Sequence, residues 1–477
     1  MTMPGKSFQI AIIGGGFSGS VLAAQLLRQG HPSVSIILIE REASPGKGVA
    51  YGTKFGQHLL NVRAQSMSAF AHDPAHFVNW LRSNYQPNVQ PTDFVPRRVY
   101  GRYVESLLRE AAEQNPGRFQ WKKDEAVSIT PLETGARIGL RSGPSISADK
   151  IVLALGNFPP ADLRFPGKTE SSPRYVPNPW SMHALEGVAQ KRVAQGESVL
   201  LVGSGLTSVD VGIALRERGF TGAIHMLSRH GFLPQPHKAA DPWPAFWDDA
   251  APRTARGLLR LIRNQVRQTP TPADDWRAVI DSLRPSTQKI WQLLPPKEQR
   301  RFLRHLRTYW DVHRHRVAPQ IGNTMTAEMD QHTIQLHAGR ITEYREDEDG
   351  VTVTYRNRGD GESKRLQVGR VINCTGPDGD FRRMNDPLLN NLLRQELVRP
   401  DPLFLGLETA PDGALIAADG KSSSLLYTLG PLRKGTLWES TAVPELRVQA
   451  AELAQRLNSL ANPPQQKKSE PRTPACL

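Results

Sequence analysis

Apolar positions along this chain follow two alternating patterns. Short unbroken apolar runs end in glycine-rich turns, and behind each turn lies a segment with apolar residues every three or four positions. Ile10-Ala11-Ile12-Ile13 runs into Gly14-Gly15-Gly16-Phe17-Ser18-Gly19, and Val199-Leu200-Leu201-Val202 runs into Gly203-Ser204-Gly205-Leu206-Thr207-Ser208. Such runs predict strands buried on both faces, as in a parallel sheet covered by helices. The segments behind them, 17–29 and 206–218, predict helices. A second strand follows each helix: Val34-Ser35-Ile36-Ile37-Leu38-Ile39 before Glu40, and Ala223-Ile224-His225-Met226-Leu227-Ser228 before Arg229 and His230. Strand, turn, helix and strand thus occur twice. The expected fold class is α/β, with two Rossmann-like dinucleotide-binding domains.

Two later apolar runs, 150–156 and 370–376, also end in glycine and read as strands leading between the domains. Alternation in Gly350-Val351-Thr352-Val353-Thr354-Tyr355 predicts further β structure. Leu258, Leu259 and Ile262 stand at helical spacing. The expected division is residues 1–165 with 376–461 as an FAD-binding domain and 190–239 with 322–375 as an NAD(P)-binding domain. Residues 240–321 form a helical insert. The tail, 462–477, is rich in Pro, Gln, Lys and Ser and is expected to be disordered.

The turns carry specific chemistry. Gly14 permits the tight turn, Gly16 lets a pyrophosphate approach the backbone, and Gly19 lets the helix pack close to the sheet. Phe17 and Ser18 open the helix whose positive end faces that pyrophosphate. Glu40, at the end of the next strand, suits an adenosine ribose. In the second turn Gly203 and Gly205 recur, and Ser208 replaces the third glycine. Its next strand ends in Ser228-Arg229 without an acid, which suits a 2′-phosphate and favours NADPH over NADH.

Composition narrows the classes. A chain of 477 residues predicts two or three domains. Its two cysteines, Cys374 and Cys476, form no CxxC pair, which argues against disulfide-reductase chemistry. No apolar run has the length of a bilayer span, and the apolar stretch after Lys6 reads as the first strand rather than a leader, so a cytoplasmic protein without membrane association is expected. The net charge of +14 is concentrated between Arg253 and Arg316. That charge suits a solvated helical face or the steering of an anion. No zinc-finger spacing or RNA-binding signature accompanies it, and no nucleic-acid partner is expected. His313 and His315 lie two apart with no carboxylate-rich set nearby, so no metal site is expected.

Longer stretches are more specific than either turn: Gly46-Lys47-Gly48-Val49-Ala50-Tyr51-Gly52-Thr53, His58-Leu59-Leu60-Asn61-Val62 and Pro96-Arg97-Arg98-Val99-Tyr100-Gly101. Further on come Trp310-Asp311-Val312-His313-Arg314-His315-Arg316, Leu429-Gly430-Pro431-Leu432-Arg433-Lys434-Gly435, and Trp438-Glu439-Ser440-Thr441-Ala442-Val443-Pro444-Glu445. On these stretches the chain resembles the FAD/NAD(P)-binding protein family related to flavin-dependent monooxygenases, including its bacterial urate hydroxylase branch. It departs where the family usually has Pro after Asn61-Val62 and this chain has Arg63.

The resemblance implies FAD, NADPH or NADH as electron donor, O2, and a small polar, anionic substrate. The named expectation is urate to 5-hydroxyisourate, in purine catabolism. The alternatives are amino-group N-hydroxylation and an NAD(P)H-dependent oxidoreductase without oxygen insertion. Gly48, Asn61 and Glu439 are further candidates for cofactor contact, and Arg63 and Arg314 for holding the substrate anion. No side chain is required as a general base, because the flavin carries the oxygen chemistry.

Overall fold

The computed structural model describes residues 8–169, 172–181, 185 and 197–462, the side chains of 272–274 apart. In it the apolar runs are the inner strands of two mainly parallel sheets. β1 (Phe8–Ile13) lies between β2 (Val34–Glu40) and β7 (Lys150–Leu153), parallel to both. β3 (Phe119–Lys123) extends one edge. On the other, β16 (Ser422–Thr428) pairs with β7, and β15 (Ala414–Ile416) closes the sheet antiparallel. Ile10 and Ile12 enter a core with the helices Phe17–Gln29, Arg97–Glu113 and Val443–Ala461. Ala11 and Ile13 enter a second core, under the antiparallel meander β4 (Ala126–Pro131), β5 (Ala136–Leu140) and β6 (Ser145–Ala148) and the helix Pro387–Arg394. Both faces are covered, which is why the run is apolar at every position.

The second sheet centres on β9 (Val199–Val202), between β10 (Ile224–Ser228) and β14 (Arg370–Asn373). β8 (Tyr175–Val176) lies beyond β14. β11 (Ile334–Glu346) pairs with β10 in parallel. Past Gly339 it pairs antiparallel with β12 (Val351–Asn357), with a bulge between Ile341 and Glu343, and β12 pairs in turn with β13 (Ser363–Val368). The helices Leu206–Glu217 and Pro319–Asp330 cover one face, while Val351, Val353 and Tyr355 pack on the other. The fold is α/β, with two Rossmann-like dinucleotide-binding domains.

Some boundaries differ from the sequence reading. β10 begins at Ile224, one residue after the expected strand start, and a C-terminal helix runs Val443–Ala461 with Pro444 in its first turn. The tail from 463 and the start of the second domain, 190–196, lie outside the described residues. Between the domains stand the helices Ala255–Arg267, Pro272–Ser282, Thr287–Leu293, Pro296–His305 and Arg307–Arg314. Leu258, Leu259 and Ile262 are only half-buried, and Arg256, Arg260, Arg263 and Arg267 are exposed. This segment is tied to the first domain by Trp291, which stacks on Trp438 at 5.0 Å between ring centres and donates from Nε1 to Gly435 O at 2.8 Å. Trp438 itself holds φ at 62°, a conformation that costs a non-glycine residue energy and persists only where packing enforces it. Among the described residues no helix is long and apolar enough to cross a membrane.

Candidate dinucleotide and substrate site

The first turn is shaped for a phosphate. Gly14 has φ +103°, and a Cβ there would stand 2.3 Å from Ala154 O. A Cβ on Gly19 would stand 1.9 Å from Gly14 O, so helix and turn touch backbone to backbone. Gly16 differs: its Cβ would meet only Gly48 Cα, at 3.7 Å. The helix Phe17–Gln29 starts with no side-chain cap, leaving the N–H groups around Phe17 and Ser18 for an anion. Glu40 is buried; it accepts from Gly15 N–H at 2.6 Å through Oε2 and from Glu42 N–H at 2.9 Å through Oε1. Gly46 N–H donates to Gly15 O at 2.6 Å, bringing the loop with Gly48 against the turn. Uncapped helix, bare glycine and adjoining carboxylate fit the pyrophosphate and ribose of FAD.

The second turn repeats the design. Gly203 has φ +120°, its Cβ position 2.5 Å from Cys374 O, while a Cβ at Gly205 would meet nothing within 4 Å. Ser208 is fully buried beside Cys374, whose thiol burial pushes well above its ordinary range. Ser228 Oγ accepts from Ser204 Oγ at 2.7 Å and from Gly231 N–H at 3.0 Å, so it shapes the strand end. Arg229 is exposed, and its guanidinium has no ion pair or hydrogen bond among the described residues. Arg340, on the neighbouring β11, is also exposed; the sequence reading missed it because β11 is remote in the chain. Losing a hydrogen bond to a charged group costs about 1.5–3 kcal/mol. Arg229→Ala is therefore expected to weaken NADPH binding roughly 10- to 100-fold and leave NADH unchanged, by titration of both coenzymes. Equal preference in the wild type would contradict this role.

Between the domains and the inserted helices lies a cavity of about 1580 Å³. That exceeds the roughly 300–1,000 Å³ of a site for one small ligand. Asn61 and Arg63 line it from the first domain, and Gly205, Ser228 and Arg229 from the second. Gly14, Gly16, Gly19, Glu40, Gly48 and Ser208 are not among its lining residues, while Arg41 and Val49, next in the chain to Glu40 and Gly48, are.

Arg314 and Glu439 also face the cavity, and they face each other. Arg314 lies 3.7 Å from Glu439 and 4.0 Å from Glu445, with burial holding its guanidinium below the ordinary arginine range. Glu439 is buried and accepts from Trp310 Nε1 at 3.2 Å. Two carboxylates thus answer the charge on Arg314, leaving less of it for a substrate. Asn61 offers its carbonyl to His237 Nε2 at 3.0 Å. A carbonyl only accepts, so Nε2 carries the proton. Burial first, then Arg316 and Arg63, push His237 down to about 4, and the ring is neutral near neutral pH.

The sequence reading also missed a clasp between the domains. Arg97 donates to both oxygens of Asp210, at 2.7 and 3.1 Å, and through Nε to Leu59 O at 2.9 Å. His58 is buried; Nε2 donates to Asp210 O at 2.9 Å, and Nδ1 lies 2.8 Å from Thr53 Oγ1. Three of the singled-out stretches meet here, which was the available signal. His313 contacts Tyr309 O and the Trp276 ring, and among the described residues no three His, Cys, Asp or Glu side chains come together as a metal site.

The two glycine turns repeat one phosphate-binding design, one in each of two dinucleotide-binding domains, and the second lines the cavity between them. Residues 11–158 match the family model described as FAD-NAD(P)-binding. No curated protein matches the sequence. Among solved structures, L-lysine 6-monooxygenase from Pseudomonas syringae is similar over 94% of this chain and 98% of its own, at 16% identity and TM-score 0.65. Kutzneria sp. 744 ornithine N-hydroxylase, solved with reduced FAD, NADP+ and L-ornithine, is similar over 95% and 100%, at 14% identity and TM-score 0.62. T. acidophilum thioredoxin reductase is similar over 96% and 99%, at 12% identity and TM-score 0.50. At these identities the likeness is one of fold.

Proposed function

We propose that this protein is a flavin-dependent monooxygenase that uses NADPH and O2 to hydroxylate a small polar substrate. The observation that carries the reading is the pair of glycine turns of one design, the second lining the large interdomain cavity and the first followed by Arg41 and Val49, which line it too. Bound FAD supplies the acceptance of hydride and the activation of O2. The chain's own residues bind and position: the Gly14–Gly19 turn and Glu40 hold the ADP part of FAD, and the second turn with Arg229 holds NADPH. The cavity wall shields the reacting groups from water. Disulfide reduction, the chemistry named for the thioredoxin reductase, draws no support here. Cys374 is buried with its thiol pushed up, and the sequence offers no CxxC partner.

For the substrate, amino-group hydroxylation takes precedence. The lysine and ornithine enzymes share the fold over nearly their whole length. Urate is supported only by the cations in the cavity wall. The cytoplasm is the compartment that goes with this reading, since it supplies NADPH. The test is oxygen uptake by the FAD-loaded protein with NADPH across primary amines and urate. Uptake that rises with an amine, with urate absorbance unchanged, is expected. Loss of urate absorbance coupled to NADPH oxidation would replace the amine reading by the urate one.

A further inference from the structure

Much of the basic charge on the inserted helices is unused by the cavity. Arg256, Arg260, Arg263 and Arg267 are exposed on the helix Ala255–Arg267, and their spacing sets them in one row about 16 Å long. Lys297, Arg300, Arg301 and Arg304 are exposed on the helix Pro296–His305 and form a second row. The two helices touch. Leu258 of the first, with Phe302 and Leu303 of the second, packs on the cluster of Trp291 and Trp438. At about 3.6 residues per turn, both rows lie on the sides away from that cluster, so both face outward. No residue of either row lines the cavity.

Little within the chain answers this charge. From Arg253 to Thr271 the sequence has no acid, and from Pro295 to Leu306 it has only Glu298. Glu298 is buried; it pairs with Arg301 at 2.7 Å and accepts from Ala255 N–H at 2.9 Å, so it joins the two helices. Among the described residues the other cations of the two rows form no ion pair. Like charges three and four residues apart weaken a helix, and the helix Ala255–Arg267 carries that repulsion at each neighbouring pair of its row. A soluble surface ordinarily intersperses both signs. An anionic surface laid against the two rows relieves the repulsion.

We propose that this two-row face docks on the anionic phospholipid headgroups of a bilayer. Cations clustered on an amphipathic helix are drawn to such headgroups, each contributing about fivefold in affinity. Shape favours a bilayer over nucleic acid. A duplex groove admits one helix, whereas the helix Ala255–Arg267 is packed against both Pro272–Ser282 and Pro296–His305 and does not stand alone. Neither basic helix exposes a Phe, Tyr or Trp side chain on which single-stranded bases would stack. Neither exposes a large apolar side chain, so the contact is electrostatic, without insertion. Docking of this kind needs no membrane-spanning helix, and it is independent of what the cavity hydroxylates.

The test mixes the FAD-loaded full chain with vesicles of phosphatidylcholine, alone or with phosphatidylglycerol, and measures co-sedimentation. Binding is expected only where phosphatidylglycerol is present, with release in about 0.5 M NaCl, which screens charges beyond a few ångströms. Arg260→Gln with Arg263→Gln should weaken that binding roughly 25-fold, at about fivefold for each cation, and should keep the FAD and the fold. Arg365→Gln with Arg394→Gln removes the same charge from exposed positions outside the inserted helices. That control should stay within about twofold of the wild type, because charges away from the docked face are screened. No binding to the phosphatidylglycerol vesicles, or an equal loss in both double variants, would overturn the proposal. So would tighter binding to a short DNA duplex, abolished by the Arg260 and Arg263 substitutions, which would make the face a nucleic-acid surface.

Discussion

Protein carrying Gly16→Leu is expected to purify folded but colourless, against a wild type that purifies yellow. Gly16 has φ −66°, ordinary for any residue, and a Cβ there meets only Gly48 Cα at 3.7 Å. The fold therefore accepts a side chain. The bound pyrophosphate does not, because the added atoms occupy the space through which it reaches the helix N–H groups. Losing two hydrogen bonds to a charged phosphate, at about 1.5–3 kcal/mol each, weakens FAD by at least about 100-fold. Gly19→Leu is the contrasting case. Its Cβ would fall 1.9 Å from Gly14 O, so that variant should fail to fold. Flavin absorbance alongside circular dichroism separates the two. Full flavin content in a folded Gly16→Leu would show that the pyrophosphate lies elsewhere.

Arg97→Met is expected to cost about 3 kcal/mol of stability, the lower end for breaking a buried ion pair. The side chains of Arg97 and Asp210 are 15% and 13% exposed, so some solvent remains, and the lower end applies. Asp210 would lose two hydrogen bonds and its counter-ion while His58 still holds its backbone carbonyl. The same helix meets the first domain again where Glu217 accepts from Gly56 N–H at 2.9 Å and from Gln57 N–H at 3.2 Å. The double variant Arg97→Met with Asp210→Leu should recover much of the loss, since a well-packed apolar pair replaces a buried ion pair at little cost. Denaturant unfolding measures both. A single-variant loss under about 1 kcal/mol would class the pair with exposed salt bridges.

The parts legible in the sequence were those fixed by local physics. Ile10 to Ile13 are apolar at each position because two cores claim alternate side chains, and Gly19 is required by the carbonyl of Gly14 in the same turn. The remainder depends on residues remote in the chain. Arg314 was a candidate anion holder by type and position; the carboxylates that answer it lie at Glu439 and Glu445, on the far side of the second domain in sequence. Arg97 and Asp210 stood in separate stretches, and nothing local marks them as partners. One stretch of the cavity wall combines Arg63, His237, Arg277 and Arg316 from four segments remote in the chain, drawn together by the bridge between Pro236 and Val317 and by the bonds of His237 to Asn61 and Arg277 to Pro236. The arginines of the helix Ala255–Arg267 are exposed, so much of the basic charge in that segment is surface and not site.

The central claim is that oxygen from O2 enters a substrate held in the interdomain cavity. The most direct measurement supplies the FAD-loaded protein with NADPH, a primary amine and heavy-isotope O2, and weighs the product. The account predicts one labelled oxygen atom on the amine nitrogen for each NADPH oxidised. NADPH consumption that returns all the label as hydrogen peroxide, with every amine recovered unchanged, would contradict it.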